Sequence, residues 1–279
     1  MRALVLVWAA VICASLTTQI AAVAVAGDYP GPSTTGLPAG VTLTPHSGTL
    51  IINTPGAVIS GLDIRGSVAI KAANVTLKNC RITCIASEKV AAVHITASGA
   101  TVQDCEINGA GAEGVKGILG YGTFLRNNIY NTEDGIFVTQ SGTVIENNYI
   151  HDLQSNWPGP HYDGIQIEGG ISDVVISGNT IINPHDQTSA VMIDNNWGPI
   201  SNIVVNNNVL VGGGYTIYVD AQFNSHPITG VKITNNRLGR GRAGYINANR
   251  SAPEVAGNVD HATGRPIPGP PAGSRPRQQ

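Results

Sequence analysis

One short phrase recurs along this chain: an apolar or β-branched pair, two polar or small residues, a fixed position, then an apolar residue one place further on. Clear copies run Thr76 to Ile82, Val102 to Ile107, Ile145 to Ile150, Ile176 to Ile181, Val205 to Leu210 and Ile233 to Leu238. The fixed position reads Leu62, Cys80, Cys105, Asn128, Asn148, Asn179, Asn208, Asn236 and Asn258, at intervals of 18, 25, 23, 20, 31, 29, 28 and 22 residues. Periods of this size, with alternation in twos and no helical stripe, predict one coil of a β-solenoid per repeat. The expectation is an all-β single domain of about nine rungs, stacked ~4.8 Å apart. A column of asparagines suits its tight turn. Asn tolerates left-handed backbone, and its amide can hydrogen-bond to the next Asn in the stack.

Composition agrees. Charged residues are 12 % and aromatics 5 %, with 34 glycines, which describes a turn-rich β protein rather than a helical one. The net charge of −2 and the lack of a basic stripe argue against nucleic acid and anionic membranes as partners. At the start, Arg2, the apolar run Ala3 to Leu16 and the small-x-small site Ala24-Val25-Ala26 read as a secretory leader over residues 1–26. The expected mature chain is secreted, free of the membrane and monomeric. Residues 27–47 read as an extended cap, 48–262 as the solenoid and 263–279 as a disordered Pro/Arg-rich tail. Three cysteines remain after processing, Cys80, Cys84 and Cys105, without the spacing of a zinc site. Cys80 and Cys105 stack in adjacent rungs, as a disulfide or as a buried thiol pair.

A second strand recurs within each rung: Ala92 to Thr96, Gly114 to Ile118, Gly135 to Thr139, Gly164 to Glu168, Ala190 to Asp194 and Thr216 to Asp220. Alternation sends Val93, Ile136, Ile165, Val191 and Ile217 inward. Asp134-Gly and Asp163-Gly precede it and read as turn residues. The repeated Asp-Gly-Ile strand with the Asn-Asn turn resembles the right-handed parallel β-helix proteins of the pectin-lyase-like superfamily, over residues 48–262. The resemblance implies that fold. Its members include secreted enzymes that cleave or epimerise acidic polysaccharides, and also phage tailspikes. The chain lacks the pectate-lyase Arg-x-Pro-x-x-Arg, the polygalacturonase Gly-His-Gly and the Asp-Pro-His-Glu of alginate epimerases. No family catalytic residue carries over.

The outward positions of this strand form two columns, read as His94, Lys116, Phe137, Gln166, Met192, Tyr218 and as Thr96, Ile118, Thr139, Glu168, Asp194, Asp220. Three successive rungs therefore present Glu168, Asp194 and Asp220 in a row. Stacked carboxylates repel, so one keeps a proton, or a cation such as calcium or a basic side chain lies between them. Neighbouring rungs would set two carboxylates about 5 Å apart, and a skipped rung about 9–10 Å. The bland alternative is that each acid turns to solvent or caps a loop. His161, Tyr218 and Lys116 are the available proton-transfer groups. The three longest intervals, 31, 29 and 28 residues, span the same rungs and carry Trp157, Trp197 and four of the seven histidines. Long loops on a rigid scaffold wall a groove, and exposed indoles stack on sugar rings. The sequence thus predicts a polysaccharide lyase, hydrolase or epimerase with Glu168, Asp194, Asp220, His161 and Tyr218 as catalytic candidates. Trp157, Gln166, Trp197, Lys116 and Asn195 would bind substrate. A non-catalytic carbohydrate-binding or adhesive surface is the alternative.

Overall fold

The computed structural model describes residues 29–85 and 90–270. The leader read at 1–26 and the end of the tail, from residue 271, lie outside the described residues. Among the described residues every regular element is a strand, in three sheets of ten, nine and ten strands. Each turn of the chain adds one strand to each sheet, and every pairing between strands is parallel, as between Asp163–Ile167 and Ser189–Asp194. This is the expected solenoid.

The core consists of stacked aliphatic columns. In the first sheet Ile64, Ile82, Ile107, Ile129, Ile150, Ile181, Leu210 and Leu238 lie in register and are fully buried. The second sheet stacks Val68, Val93, Ile118, Ile136, Ile165, Val191 and Ile217 in the same way. β-Branched side chains fit this use because they pack against their own kind on a pleated surface and lose little rotamer freedom there.

The turn from the third sheet to the first divides its work between two consecutive residues. Gly61, Asn79, Asp104, Arg126, Asn147, Gly178, Asn207, Asn235 and Gly257 take the left-handed conformation, with φ between +50° and +72°. The residue after each points inward. From Asn127 through Asn148, Asn179, Asn208, Asn236 and Asn258 these inward residues form a buried ladder. From Asn148 onward each carboxamide oxygen accepts both the backbone N–H and the side-chain amide of the rung before, as Asn179 Oδ1 does from Asn148 at 2.9 and 3.0 Å, while Asn127 Oδ1 accepts the Cys105 N–H at 3.1 Å. Each amide also donates to backbone carbonyls, as Asn179 Nδ2 does to Ile145 and Ser177 at 2.9 and 3.1 Å. Cys105 and Cys80 continue the column, their thiols donating to the carbonyls of Gln103 and Lys78. Cys80 and Cys105 are free thiols, and all three cysteines, Cys84 included, are buried.

This corrects the register by one residue at a single rung. The ladder member is Asn127, and Asn128 lies outside it on the first sheet, paired between Glu106 and Tyr149. The left-handed residue there is Arg126, held by Asp104 at 2.7 and 2.8 Å, so neither glycine nor asparagine marks the turn.

The ends also differ from expectation. Thr44–Ser47, inside the segment read as a cap, is already a strand of the first sheet. Residues 29–43 run down the outside of the ladder turn, from Tyr29 near Asn207 to Gly36, whose N–H donates to Arg126 O at 2.8 Å. Gly36 has φ +77°, and a Cβ there would lie 2.8 Å from that of Asn128. At the other end the expected tail begins as an ordered cap. Val259 bridges Pro266, Ile267 N donates to Asn258 O, and Ile267 packs on the core.

The ladder carries a prediction. Asn179→Ala strands the N–H and amide of Asn148 and two carbonyls, and should lower unfolding free energy by roughly 3 kcal/mol or more. Asn147→Gly, at φ +56°, should change it by only a few tenths of a kcal/mol. Denaturant titration of both variants checks this, and equal effects would refute the ladder's role.

Candidate functional site

The outer face of the second sheet carries one in-register column of Ala69, His94, Leu119, Phe137, Gln166, Met192, Tyr218 and Asn247. Two residues further along, Asp194 pairs with Asp220, and Asp220 with Asn249. Glu168 follows Ile167, which pairs with Ile193, so it lies opposite Asp194. The three acids are brought together as the repeat predicted.

They are not equivalent. Glu168 is half-buried and accepts hydrogen bonds at both oxygens, from Gln166 Nε2 at 2.7 Å and Trp197 Nε1 at 2.8 Å. Asp220 is 4 % exposed and accepts three, from Gln222 N, Gln222 Nε2 and Asn249 Nδ2. Asp194, 5 % exposed, accepts one, from Asn196 N at Oδ1. Its Oδ2 has no hydrogen-bond partner among the described residues. Burial pushes Asp194 up to about 6, and repulsion from Glu168 and Asp220 on either side adds to this. Burial also raises Asp220, opposed by its bonds to Gln222 and Asn249 and, last, by Arg250. Burial raises Tyr218 as well, so its phenol stays a hydrogen-bond donor.

The three carboxylates do not converge as metal ligands. Among the described residues no group of three or more His, Cys, Asp or Glu side chains is arranged to hold a metal ion. Glu168 and Asp220 are occupied by protein N–H donors, which a calcium ion would have to displace. The calcium expectation at this row therefore does not fit.

Four other expected site residues belong elsewhere. Lys116 pairs with Ala91, not with His94, whose neighbour is Leu119. The strand Lys116–Gly120 starts two residues later than its repeat suggests, because Gly117 and Gly120 blur the alternation. Lys116 Nζ sits 3.4 Å from Asp134 and 3.8 Å from Glu133 and donates to Gly114 O, at the entry edge of the sheet. Trp157 and His161 lie at that edge too, in a loop tied to Glu133 through Ser155 Oγ and His161 N. Asp163 does not orient the His161 ring, since its Oδ1 accepts from Ser189 N and Oγ at 3.0 and 2.7 Å. Asn195 is fully buried. Its amide donates to the carbonyls of Asn224 and His226, and its Oδ1 accepts from Phe223 N, so it anchors a loop and is closed to substrate.

Asp134 and Asp163, expected at turns, are 2 % and 1 % exposed. Burial pushes Asp134 up to about 7 against the pull of Lys116, and raises Asp163 well above the carboxylate range, with Asp134 adding repulsion.

Loop lengths set the shape of the face. Ahead of the strands Asp163–Ile167, Ser189–Asp194 and Tyr215–Asp220 the connections run 152–162, 184–188 and 213–214. Behind them they run 168–170, 195–199 and 221–227. The entry wall shrinks over the same rungs as the exit wall grows. The acids lie at the exit edge, where the connections lengthen from rung to rung. Two aromatics stand on that edge, Trp197 at 74 % and Phe223 at 53 % exposure. Phe223 escaped the sequence reading, although the length of its loop marked the place.

The family described as right-handed β-helix region matches residues 91–260, and the chain belongs to it. No curated protein matches the chain. Among solved structures, the crystal structure of the Dettilon tailspike protein is similar at 13 % identity and a TM-score of 0.45. The match covers 80 % of this chain and 59 % of that one, so this chain spans less than two thirds of the tailspike's length.

The buried acids make stability depend on pH. Asp134, Asp163, Asp194 and Asp220 all hold protons more tightly folded than unfolded. Their contribution is full below the ordinary value of 3.8 and is lost as pH rises through their folded values, about 6 for Asp194 and about 7 for Asp134. The thermal midpoint should fall across that window. Asp194→Asn should melt higher than wild type above pH about 6, by on the order of 1–2 kcal/mol. The gap should close near 3.8, the unshifted value. A constant difference across the window would exclude Asp194 as a proton holder.

Proposed function

We propose that this is a secreted glycan-active enzyme that hydrolyses a polysaccharide lying across the outer face of the second sheet. The observation that carries the reading is Asp194, a carboxyl with one free oxygen and a value near 6, between two carboxylates bound by N–H donors. Such a group is protonated in mildly acidic conditions and suits general-acid work. Asp194 gives its proton to the glycosidic oxygen as the bond to the leaving sugar breaks. Glu168, one rung away, faces the anomeric carbon as nucleophile or base, its carboxylate oriented by Gln166 and Trp197. A one-rung separation of ~5 Å matches the retaining arrangement. Asp220 acts through Asp194: its charge keeps the proton there. Tyr218 donates to a substrate oxygen, and Trp197 carries a sugar ring.

Elimination and epimerisation fit less well, because both require a base at a proton-bearing carbon and a group that neutralises the uronate. Lys116 is bound to Asp134 and Glu133 at the opposite edge.

Incubation with a panel of polysaccharides should release reducing ends without the ultraviolet absorbance of new double bonds. Asp194→Asn and Glu168→Gln should each lower kcat/KM by about 100-fold or more. In wild type kcat/KM should fall as pH rises past about 6. Asp220→Asn should move that limb to lower pH. New double bonds in the product would replace hydrolysis by elimination.

The higher exposure of Trp197 and Phe223 than of Asp194 and Asp220 favours a second reading, a non-catalytic carbohydrate-binding surface. Saturable binding with no product from any glycan would establish it.

A further inference from the structure

Resting on the glycan-active reading of this face, we infer that its ligand is a neutral, hydroxyl-rich glycan rather than a polyuronate, and that Trp197 and Phe223 together form its sugar platform. The aromatic pair supplies the first argument. Seven large apolar side chains are exposed among the described residues, and two of them, Trp197 at 74 % and Phe223 at 53 %, stand on the connections that follow neighbouring strands of the second sheet. Neither connection is slack. Trp197 is held at two points by Glu168, its backbone N–H on the carbonyl at 2.9 Å and its indole N–H on the carboxylate at 2.8 Å. The ring's own polar contact is at its N–H edge, and at 74 % exposure a ring face stays open. Phe223 N donates to the buried Asn195 Oδ1 at 3.1 Å, while Asn195 Nδ2 holds His226 O at 2.7 Å. Asn195 thus locks the Phe223 loop to the loop that carries Trp197. Rigid, pre-placed aromatic faces stack on the C–H faces of sugars with little ordering cost.

Charge supplies the second argument. Glu168, Asp194 and Asp220 stack in register at this edge, and the pull of Arg250 on Asp220 ranks below three hydrogen bonds. A uronate seated on Trp197 would bring its charge against Glu168, the residue that holds the ring. A neutral sugar brings hydroxyl donors instead, and the Glu168 carboxylate accepts them.

Calorimetric titration of the full-length secreted protein tests this, with neutral oligosaccharides (glucan, mannan, galactan and xylan fragments) against oligogalacturonate and oligoalginate. Asp194→Asn is used alongside wild type, so that turnover does not consume the ligand. At least one neutral series should bind, and the polyuronates should bind at least about tenfold more weakly. Trp197→Ala and Phe223→Ala should each weaken neutral binding by about tenfold, with thermal midpoints unchanged because both rings are exposed. Preferential polyuronate binding overturns the substrate class and leaves the glycan-active reading intact. Full affinity in both aromatic variants overturns the platform. Failure of every glycan of either kind overturns the glycan-active reading itself. Sedimentation showing that the two rings hold a second copy of the chain, lost in Trp197→Ala, would assign the pair to self-association and overturn the inference.

Discussion

The buried asparagine ladder is the constraint from which the rest of this molecule follows. A parallel stack repeats at a fixed rise, but nothing in a column of isoleucines prevents one rung from slipping past the next by two residues. The ladder prevents it. Each carboxamide is bound to the rung before and to backbone carbonyls around it, so a slip would bury several unpaired polar groups at once. A left-handed residue reverses the chain first, and the asparagine then points inward. Because register is held at this corner, the other two corners are free to vary in length. The outer face of the second sheet uses that freedom: its loops differ from rung to rung while Asp194 and Asp220 stay paired.

Stacking also explains why the acids are costly and why the cost is distributed as it is. A parallel solenoid places like beside like, which favours apolar columns and opposes charged ones. The chain carries two acidic columns on one sheet, one at each edge. At the entry edge, Asp134 and Asp163 are offset by Lys116 and by the hydroxyl and N–H of Ser189. At the exit edge the outer two acids are given donors and the middle one is left short. That asymmetry separates a candidate proton donor from a structural acid, and it arises in residues outside the repeat: Trp197, Gln222 and Asn196.

Architecture was legible because the repeat is written in the residues that build it. Isoleucine alternation marked the strands, and the asparagine column marked the corner. Register slipped in two places where the marker was absent. At Arg126 an ion pair with Asp104 replaces the usual turn residue, and Asn127-Asn128 offers two candidates for one position. At Lys116 two glycines inside the strand Lys116–Gly120 interrupt the alternation. The acidic row was legible for the same reason as the core, since it obeys the period. The role of Asn195 was not, because a loop asparagine bound on both ends of its amide reads identically to one facing solvent. Asp163 was read as a turn residue because Asp-Gly is an ordinary turn signal, whereas it opens the strand Asp163–Ile167, and the burial of both Asp134 and Asp163 was not legible.

Trp157 and His161 failed to join the acids for a geometric reason that repeat lengths conceal. An interval between successive ladder residues counts the loop entering the second sheet together with the loop leaving it. The intervals of 31, 29 and 28 residues look nearly constant. Beneath that constancy the entry loop contracts from residues 152–162 to 213–214, while the exit loop expands from 168–170 to 221–227. Two residues from rungs with equally long insertions can therefore lie a full strand apart, five residues or ~17 Å in the case of His161 and the exit edge. What decides whether a loop residue reaches the acids is the side of the strand on which it is inserted. Trp197 and Phe223 follow their strands and stand on the exit edge, whereas Trp157 precedes its strand and faces the entry edge. In a solenoid the position of an insertion relative to the strand, more than its length, determines which face it serves.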